Sequence, residues 1–288
     1  MVQQAQVIID RDIRRLIAAA FTEDAPQGDI TSRYFGEEKA IVTARLISKA
    51  TGVIAGLSIA EACFKYVNRR IVFSRKIQDG TLVKSGDILA EITGPKNSVL
   101  LGERTALNFL QHLSGVATAT QSLVRVLEGT KAVLLDTRKT IPGLRRLDKY
   151  AVTCGGGRNH RMSLSDMILI KDNHLAKLSF TELQKRIALV KKKQPMMKIE
   201  VEAETLGQVR RFLTVPVDVI MLDNMPVAQM KTAVALRNKM HSPILFEASG
   251  NVTERTILKI ARCGVDYISV GAITHSVKAF DISLRMAS

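Results

Sequence analysis

The second half of the chain repeats one pattern. Short runs of Val, Ile and Leu alternate with longer stretches whose apolar residues recur at helical spacing. The strand-like runs are "AVLLD", "MILIK", "KIEVEA", "VDVIMLD", "PILFEA" and "DYISVG". Between them lie "FTELQKRIALVKKK", "PVAQMKTAVALRNKM" and "VTERTILKIARCG", each with one apolar face. Repeated β-α units force parallel strands, because each helical crossover returns the chain to the same end of the sheet. Six or more units in series predict a (β/α) barrel rather than an open sheet.

The first half has a different texture. Asp10 to Glu23 reads as a helix with Ile13, Leu16, Ile17, Ala20 and Phe21 on one face. The loop "EDAPQGDITS" follows, and then the β-rich runs "AIVTARLISK", "RIVFSRKI" and "GTLVKSGDILAEITG". The piece "VKSGDILAEI" is similar to a lipoyl or biotinyl hammerhead, but without a lysine-bearing turn. It predicts a β-turn at Ser85-Gly86-Asp87 and no carrier function. A long helix is expected from about Val99, with Gly102 marking its start and Gly115 a break. The change of texture predicts an α/β domain over residues 1–113 and a barrel over 114–275, with the C-terminal residues 276–288 packing on the first domain.

Composition narrows the function. Of the 288 residues 46% are hydrophobic and 24% charged, as in a globular domain. No apolar run reaches the ~18–20 residues of a membrane span. The N-terminal stretch lacks the long apolar core of a secretion signal. Cys63, Cys154 and Cys263 are too scattered for a zinc site and imply reduced thiols. A cytoplasmic location without a membrane partner is expected. The net charge of +15 admits nucleic acid, an acidic surface or polyanionic small substrates as partners. Trp is absent and aromatics are 5% of residues, which leaves little for base stacking. Lys191, Lys192 and Lys193 read as a solvated helix end.

In parallel α/β architectures the site lies at the C-terminal ends of the strands. Those ends supply Asp136, Thr137, Arg138 and Lys139; then Lys171, Asp172 and Asn173; then Glu200 and Glu202; then Asp223 and Asn224; then Glu247, Ser249 and Gly250; and last Gly271, with His275 four residues on. The alternation Ile199-Glu200-Val201-Glu202 puts both carboxylates on one face of their strand. The ring divides by sign. Arg138, Lys139, His160, Arg161 and Lys171 are cationic, and Glu202 and Asp223, with Glu200 behind, are anionic. Arginines and lysines so placed call for carboxylates or phosphates. Two carboxylates in the same bowl suit Mg2+ shared with a substrate phosphate, and equally suit sugar hydroxyls. The loops "ASGN" and "SVGA" each precede a helix and offer backbone N–H groups to one phosphate.

Each residue also has a plainer reading. His112 and His241 lack charged sequence neighbours and read as structural or surface groups. Glycines before His160 and Arg161 suit close approach to a ligand, and also a plain tight loop. Glu200 fits a buried pair with Lys171 as well as a functional role. Met196, Met197, Met221, Met225 and Met230 read as core filler.

The motifs "GERTALNFLQHLSGVAT", "DTRKTIPGLR", "CGGGRNHRM", "ILIKDNH", "EVEAE", "IMLDN", "EASGN" and "YISVGAITHS" follow one another as in the quinolinate phosphoribosyltransferase family, which the chain resembles from "EDAPQGDITS" to "ITHS". The resemblance implies a type II phosphoribosyltransferase: an N-terminal α/β sandwich domain and an incomplete (β/α) barrel of about seven strands, one more than the six read above. It implies an enzyme of NAD biosynthesis. That enzyme transfers phosphoribosyl from phosphoribosyl pyrophosphate to quinolinate and releases CO2 and pyrophosphate, leaving nicotinate mononucleotide.

The family's substrate-binding positions fall on Thr137, Arg138, Lys139, His160, Arg161 and Lys171, with Arg104 contributed across a dimer of shared active sites. Glu202 and Asp223 match the carboxylates near ribose and Mg2+. Ser249, Gly250 and Asn251, with Val270, Gly271 and Ala272, match the phosphate loops, and His275 lies alongside. The catalytic set implied is Lys139, Lys171, Glu202 and Asp223. One departure stands out: the family loop commonly reads Ser-Gly-Gly, and Asn251 takes its last place. Two rivals remain. One is a paralogue acting on another acid, such as a nicotinate phosphoribosyltransferase or the molybdenum-associated relative. The other, from a different class, is a basic nucleic-acid-binding protein, which would spread its cations along an outer face.

Overall fold

A computed structural model describes residues 8–37, 40–176 and 178–287. In chain order the first elements are α1 (Arg11–Asp24), α2 (Ile30–Phe35), β1 (Ile41–Ser48), β2 (Gly52–Val53), α3 (Leu57–Val67), β3 (Val72–Arg75), β4 (Leu82–Val83), β5 (Ile88–Pro95) and α4 (Lys96–Val126). Then come β6 (Val133–Leu135), α5 (Arg145–Cys154), β7 (Ile168–Ile170), α6 (Asp172–Leu175), α7 (Phe180–Lys193), β8 (Ile199–Ala203), α8 (Leu206–Phe212) and β9 (Val219–Asp223). The chain closes with α9 (Val227–Lys239), β10 (Leu245–Ser249), α10 (Glu254–Ala261), β11 (Tyr267–Ser269), α11 (Ala272–His275) and β12 (Ile282–Met286).

The chain divides into two compact units. One comprises Met1–Gln121, Thr140–Gly156 and Ile273–Ser288, the other Ser122–Lys139 and Gly157–Ala272. This differs from a division at residue 113 chiefly because α5 belongs with the first unit. Tyr150 on α5 donates its hydroxyl to Asp79 at 2.6 Å, and buried Asp148 pairs with His112 at 2.7 Å. His112 thus has a charged neighbour that its sequence surroundings do not disclose.

The first unit is built on an antiparallel sheet in the order β12-β1-β5-β3. Helix α1 starts where Asp10 accepts from the Ile13 N–H, and it buries Ile13, Ile17 and Phe21. Phe21 stacks on Tyr66 of α3 with ring centroids 5.0 Å apart. The turn between β4 and β5 is held by Asp87, whose carboxylate accepts the Lys84 N–H at 2.8 Å. Helix α4 begins before Gly102 and runs unbroken through Gly115, contrary to the sequence expectation. Both glycines are packing positions. A Cβ at Gly102 would lie 2.7 Å from Phe64, and one at Gly115 would lie 2.4 Å from the Lys278 carbonyl oxygen.

The second unit holds a parallel six-stranded sheet in the order β6-β11-β10-β9-β8-β7. The sheet has the six strands that the sequence pattern reads; beside it, Arg158 forms a single parallel bridge to Leu135, with Arg158 N donating to Leu134 at 2.9 Å and Asp136 N to Arg158 at 3.1 Å. The strands alternate strictly. In β10, Phe246 and Ala248 are fully buried toward the helices, while Leu245 and Glu247 line a cavity of about 600 Å³ inside the unit. The cavity is walled by residues at the N-terminal ends of the strands, among them Lys198, Val219, Leu245 and Tyr267. Lys191 is not simply solvated: its ammonium pairs with Asp218 at 2.7 Å.

Candidate active site

The second unit brings Lys171, Glu202, Asp223 and Ser249 to the C-terminal end of the parallel sheet, whereas His160 and Arg161 line the cavity together with Glu200 and Glu247. Just past β7, Lys171 pairs with Glu202 of β8, the ammonium donating to Oε1. Lys171 therefore meets Glu202 and not Glu200, because Glu202 lies one step nearer the strand ends. Glu202 is buried and Lys171 half exposed, so the pair presents its cationic side outward. On β9, Asp223 is partly exposed, and its Oδ2 accepts from the Asn224 amide at 3.1 Å. Ser249 on β10 stands in register with Asp223, and its carbonyl accepts the Asn224 N–H at 2.9 Å. The loop that follows, Gly250 and Asn251, takes left-handed backbone at φ 94° and 49°. Beyond β11, Val270 is buried and donates its N–H to Leu135 at 3.0 Å, which leads the chain to Gly271 and Ala272.

After β6 the chain turns at Thr137, whose hydroxyl accepts the Lys139 N–H at 3.0 Å. Lys139 is exposed, and Arg138 is partly buried with its Nε lacking a hydrogen-bond partner among the described residues. Arg161 lies close by. Burial first, and then the like charge of Arg138, press its guanidinium below its ordinary value. Arginine stays protonated regardless. Two guanidiniums that repel one another in a partly dry place make a site for an anion, above all a planar carboxylate.

His160 faces inward. Its Nε2 lies 3.0 Å from Glu200 and 3.6 Å from Glu247, and the ligand atoms of the three side chains lie within 4.8 Å of one another. Its Nδ1 accepts the Arg161 N–H at 2.7 Å. Burial pushes Glu200 up to about 7, and burial with the adjacent Glu200 carboxylate pushes Glu247 up to about 8. Two acids this close and this dry hold a proton between them. Sequence reasoning placed Glu247 in the ring of strand ends but gave it no role. Asp136, which accepts the His160 N–H at 2.9 Å, was passed over in the same way. The period-two alternation of "LFEAS" is the signal that places Glu247 on the inward face.

Arg104 and His275 belong to the first unit. Arg104 is exposed on α4, and the His275 ring pairs with the Ser276 hydroxyl at 2.7 Å.

Comparison with known proteins agrees with the motif order. Residues 29–114 match the quinolinate phosphoribosyl transferase N-terminal domain, and residues 116–285 match the C-terminal domain. The chain is 40% identical over 274 residues to a protein of Bacillus subtilis named "probable nicotinate-nucleotide pyrophosphorylase [carboxylating]", covering 94% of this chain and 92% of the relative. The solved nicotinate-nucleotide pyrophosphorylase of Francisella tularensis superposes with a TM-score of 0.92 at 36% identity, over 100% of both chains. A human nicotinic acid phosphoribosyltransferase shares the fold at a TM-score of 0.62 and 12% identity, over 98% of this chain and 75% of that one. With both family domains matched in order along nearly its whole length, the chain belongs to the quinolinate phosphoribosyltransferase family.

Proposed function

We propose that this chain is a nicotinate-nucleotide pyrophosphorylase (carboxylating), a pentosyltransferase that joins quinolinate to phosphoribosyl pyrophosphate with loss of CO2. The observation that carries the reading is the buried Arg138 Nε, which meets no partner among the described residues, in the unit that also holds Arg161 and the Lys171–Glu202 pair. A monocarboxylate has no use for so many cations, whereas a pyridine dicarboxylate beside a polyphosphate neutralises them. Arg138, Lys139, Arg161 and Lys171 hold the two carboxylates and the pyrophosphate, with Thr137 fixing the turn. Ser249, Gly250 and Asn251 receive the 5′-phosphate.

The chemistry follows from the charges. The pyridine nitrogen bonds to the anomeric carbon as the bond to pyrophosphate breaks, and both electrons of that bond leave with pyrophosphate. Positive charge develops on the sugar, and the carboxylates of Glu202 and Asp223 stabilise it. Lys139 and Lys171 neutralise the departing pyrophosphate. CO2 then departs and leaves its bonding pair on the ring carbon beside the pyridinium nitrogen, whose positive charge stabilises this ylide, and a proton from solvent adds to that carbon to complete nicotinate mononucleotide.

Mg2+ fits the donor set. Glu202 and Asp223 offer hard carboxylate oxygens, and among the described residues neither belongs to a cluster of three ligands, so the ion would complete its shell with water and phosphate. Bound there, it would supply charge neutralisation to the pyrophosphate. We further propose that the protein works as a dimer at least, with Arg104 reaching the partner's pocket. The deciding experiment is a product assay with quinolinate, phosphoribosyl pyrophosphate and Mg2+. Stoichiometric nicotinate mononucleotide and CO2 are expected. Product from nicotinate, with none from quinolinate, would overturn the reading in favour of the paralogue.

A further inference from the structure

Arg158 bridges β6 in parallel, and His160 and Arg161 follow it closely in the chain. Buried side chains hold this segment. Asp136, fully buried, accepts the His160 N–H at 2.9 Å. The His160 ring accepts the Arg161 N–H on Nδ1 at 2.7 Å. With Nδ1 an acceptor, the ring hydrogen sits on Nε2, which points at Glu200 and Glu247. Both ring nitrogens are thus engaged, and the ring is fixed in tautomer and rotation. The guanidinium of Arg161 is steadied at its other end by donating to the Met167 carbonyl at 3.1 Å.

We infer that the buried acids Glu200 and Glu247 are positioning residues for the acid substrate: Glu200 accepts from the His160 ring, Glu247 flanks the pair 3.6 Å from the same ring nitrogen, and the ring holds the backbone from which Arg161 reaches its ligand. Glu247 stands on β10, a strand that carries none of the proposed quinolinate contacts, so nothing in the reaction itself calls for an acid there. Its side chain is almost wholly buried beside the Glu200 carboxylate. A buried acid that costs stability in this way is accounted for by the ring it orients. The inference rests on the assignment of Arg161 to quinolinate.

The test is a double-mutant cycle on the full-length protein, with Glu247→Leu, Arg161→Ala and the double variant. Quinolinate and phosphoribosyl pyrophosphate affinities are read by calorimetry, and Tm is read alongside. Glu247→Leu leaves the hydrogen bond between Glu200 and the His160 ring in place, and Tm reports what the change costs in folding. Glu247→Leu is expected to weaken quinolinate about tenfold, the size of coupling usual between contacting residues. Affinity for phosphoribosyl pyrophosphate is expected to be unchanged. Glu247→Gln, which keeps a polar group of the same shape beside the ring and Glu200, is expected to recover most of the loss. In the Arg161→Ala background, Glu247→Leu should cost nothing further.

Fully additive losses, or an equal loss for both substrates, would overturn the inference in favour of a merely structural acid. A loss with Arg161→Ala but none with Glu247→Leu would remove this inference alone. Parental quinolinate affinity in Arg161→Ala would remove the Arg161 assignment and this inference with it. Should Glu247→Leu fail to fold, Glu200→Leu carries the same cycle.

Discussion

The side-chain amide of Asn251 donates to Oδ1 of Asn224 at 3.3 Å, and both residues hold left-handed backbone at φ 49°. This contact joins the loop after β10 to the loop after β9. It also accounts for Asn where the family loop commonly carries a second glycine. Asn enters the left-handed region more readily than other residues with a side chain, and here its amide pins the loop.

Gly250 has no such latitude. Its φ is 94°, and a Cβ there would lie 2.1 Å from Oδ1 of Asn224. Gly250→Ala is therefore expected to cost about 1–3 kcal/mol of loop strain and to raise KM for phosphoribosyl pyrophosphate. Asn251→Gly should stay within about threefold of the parent, since glycine takes the same backbone. Steady-state kinetics in phosphoribosyl pyrophosphate checks both; a parental Gly250→Ala enzyme would remove this loop from the phosphate site.

Glu202→Gln and Asp223→Asn are expected to slow turnover about a hundredfold, in the range seen when one group stabilising transition-state charge is removed. Quinolinate affinity should change little. Glu202→Gln also leaves Lys171 without its carboxylate, so any change in quinolinate binding should be toward tighter. Single-turnover rates and equilibrium titration separate the two effects. A large loss of affinity at a normal rate would move these residues to the quinolinate subsite.

Much of this arrangement was legible in the sequence because strand ends announce themselves. "MILIK" and "VDVIMLD" each close an apolar run with a charge, and the fold sets these strands parallel. What stayed hidden depends on register. Period two puts Glu200 and Glu202 on one face, but only strand pairing decides that Lys171 meets the second and His160 the first. The bridge at Arg158 escaped because a single bridge needs no apolar run. Gly102 and Gly115 looked like helix punctuation, although their role is to admit Phe64 and the Lys278 carbonyl, which lie far away in sequence.

The Glu200–Glu247 pair gives stability a pH dependence. Glu247 titrates at about 8 in the folded chain and Glu200 at about 7, both raised by burial from an ordinary 4.5. The folded state therefore binds more protons than the unfolded state between those limits. Stability present below the ordinary value is lost as pH rises through the folded one. Tm is expected to fall from about pH 5 to about pH 8, and Glu247→Gln should flatten that fall because the amide cannot ionise. Thermal melts of both proteins across this range decide the point, and equal slopes would contradict it.

Arg104 offers the sharpest test of how the sites are assembled. It is exposed on α4, where an arginine needs no special reason. The proposed dimer gives it one: it would complete the pocket of a neighbouring subunit. A two-fold dimer built this way has two composite sites, each with one barrel and one foreign arginine. Arg104→Ala and Arg161→Ala proteins should each be nearly inactive alone. In a hybrid dimer, one barrel keeps Arg161 and receives Arg104 from its neighbour, while the other site lacks both. Random exchange makes half the dimers hybrids, each with one intact site, so mixing should restore about a quarter of parental activity. The measurement is activity against mixing ratio after subunit exchange has been verified by mass. A maximum at equal amounts is expected. Verified exchange without recovery would place Arg104 in the service of its own chain.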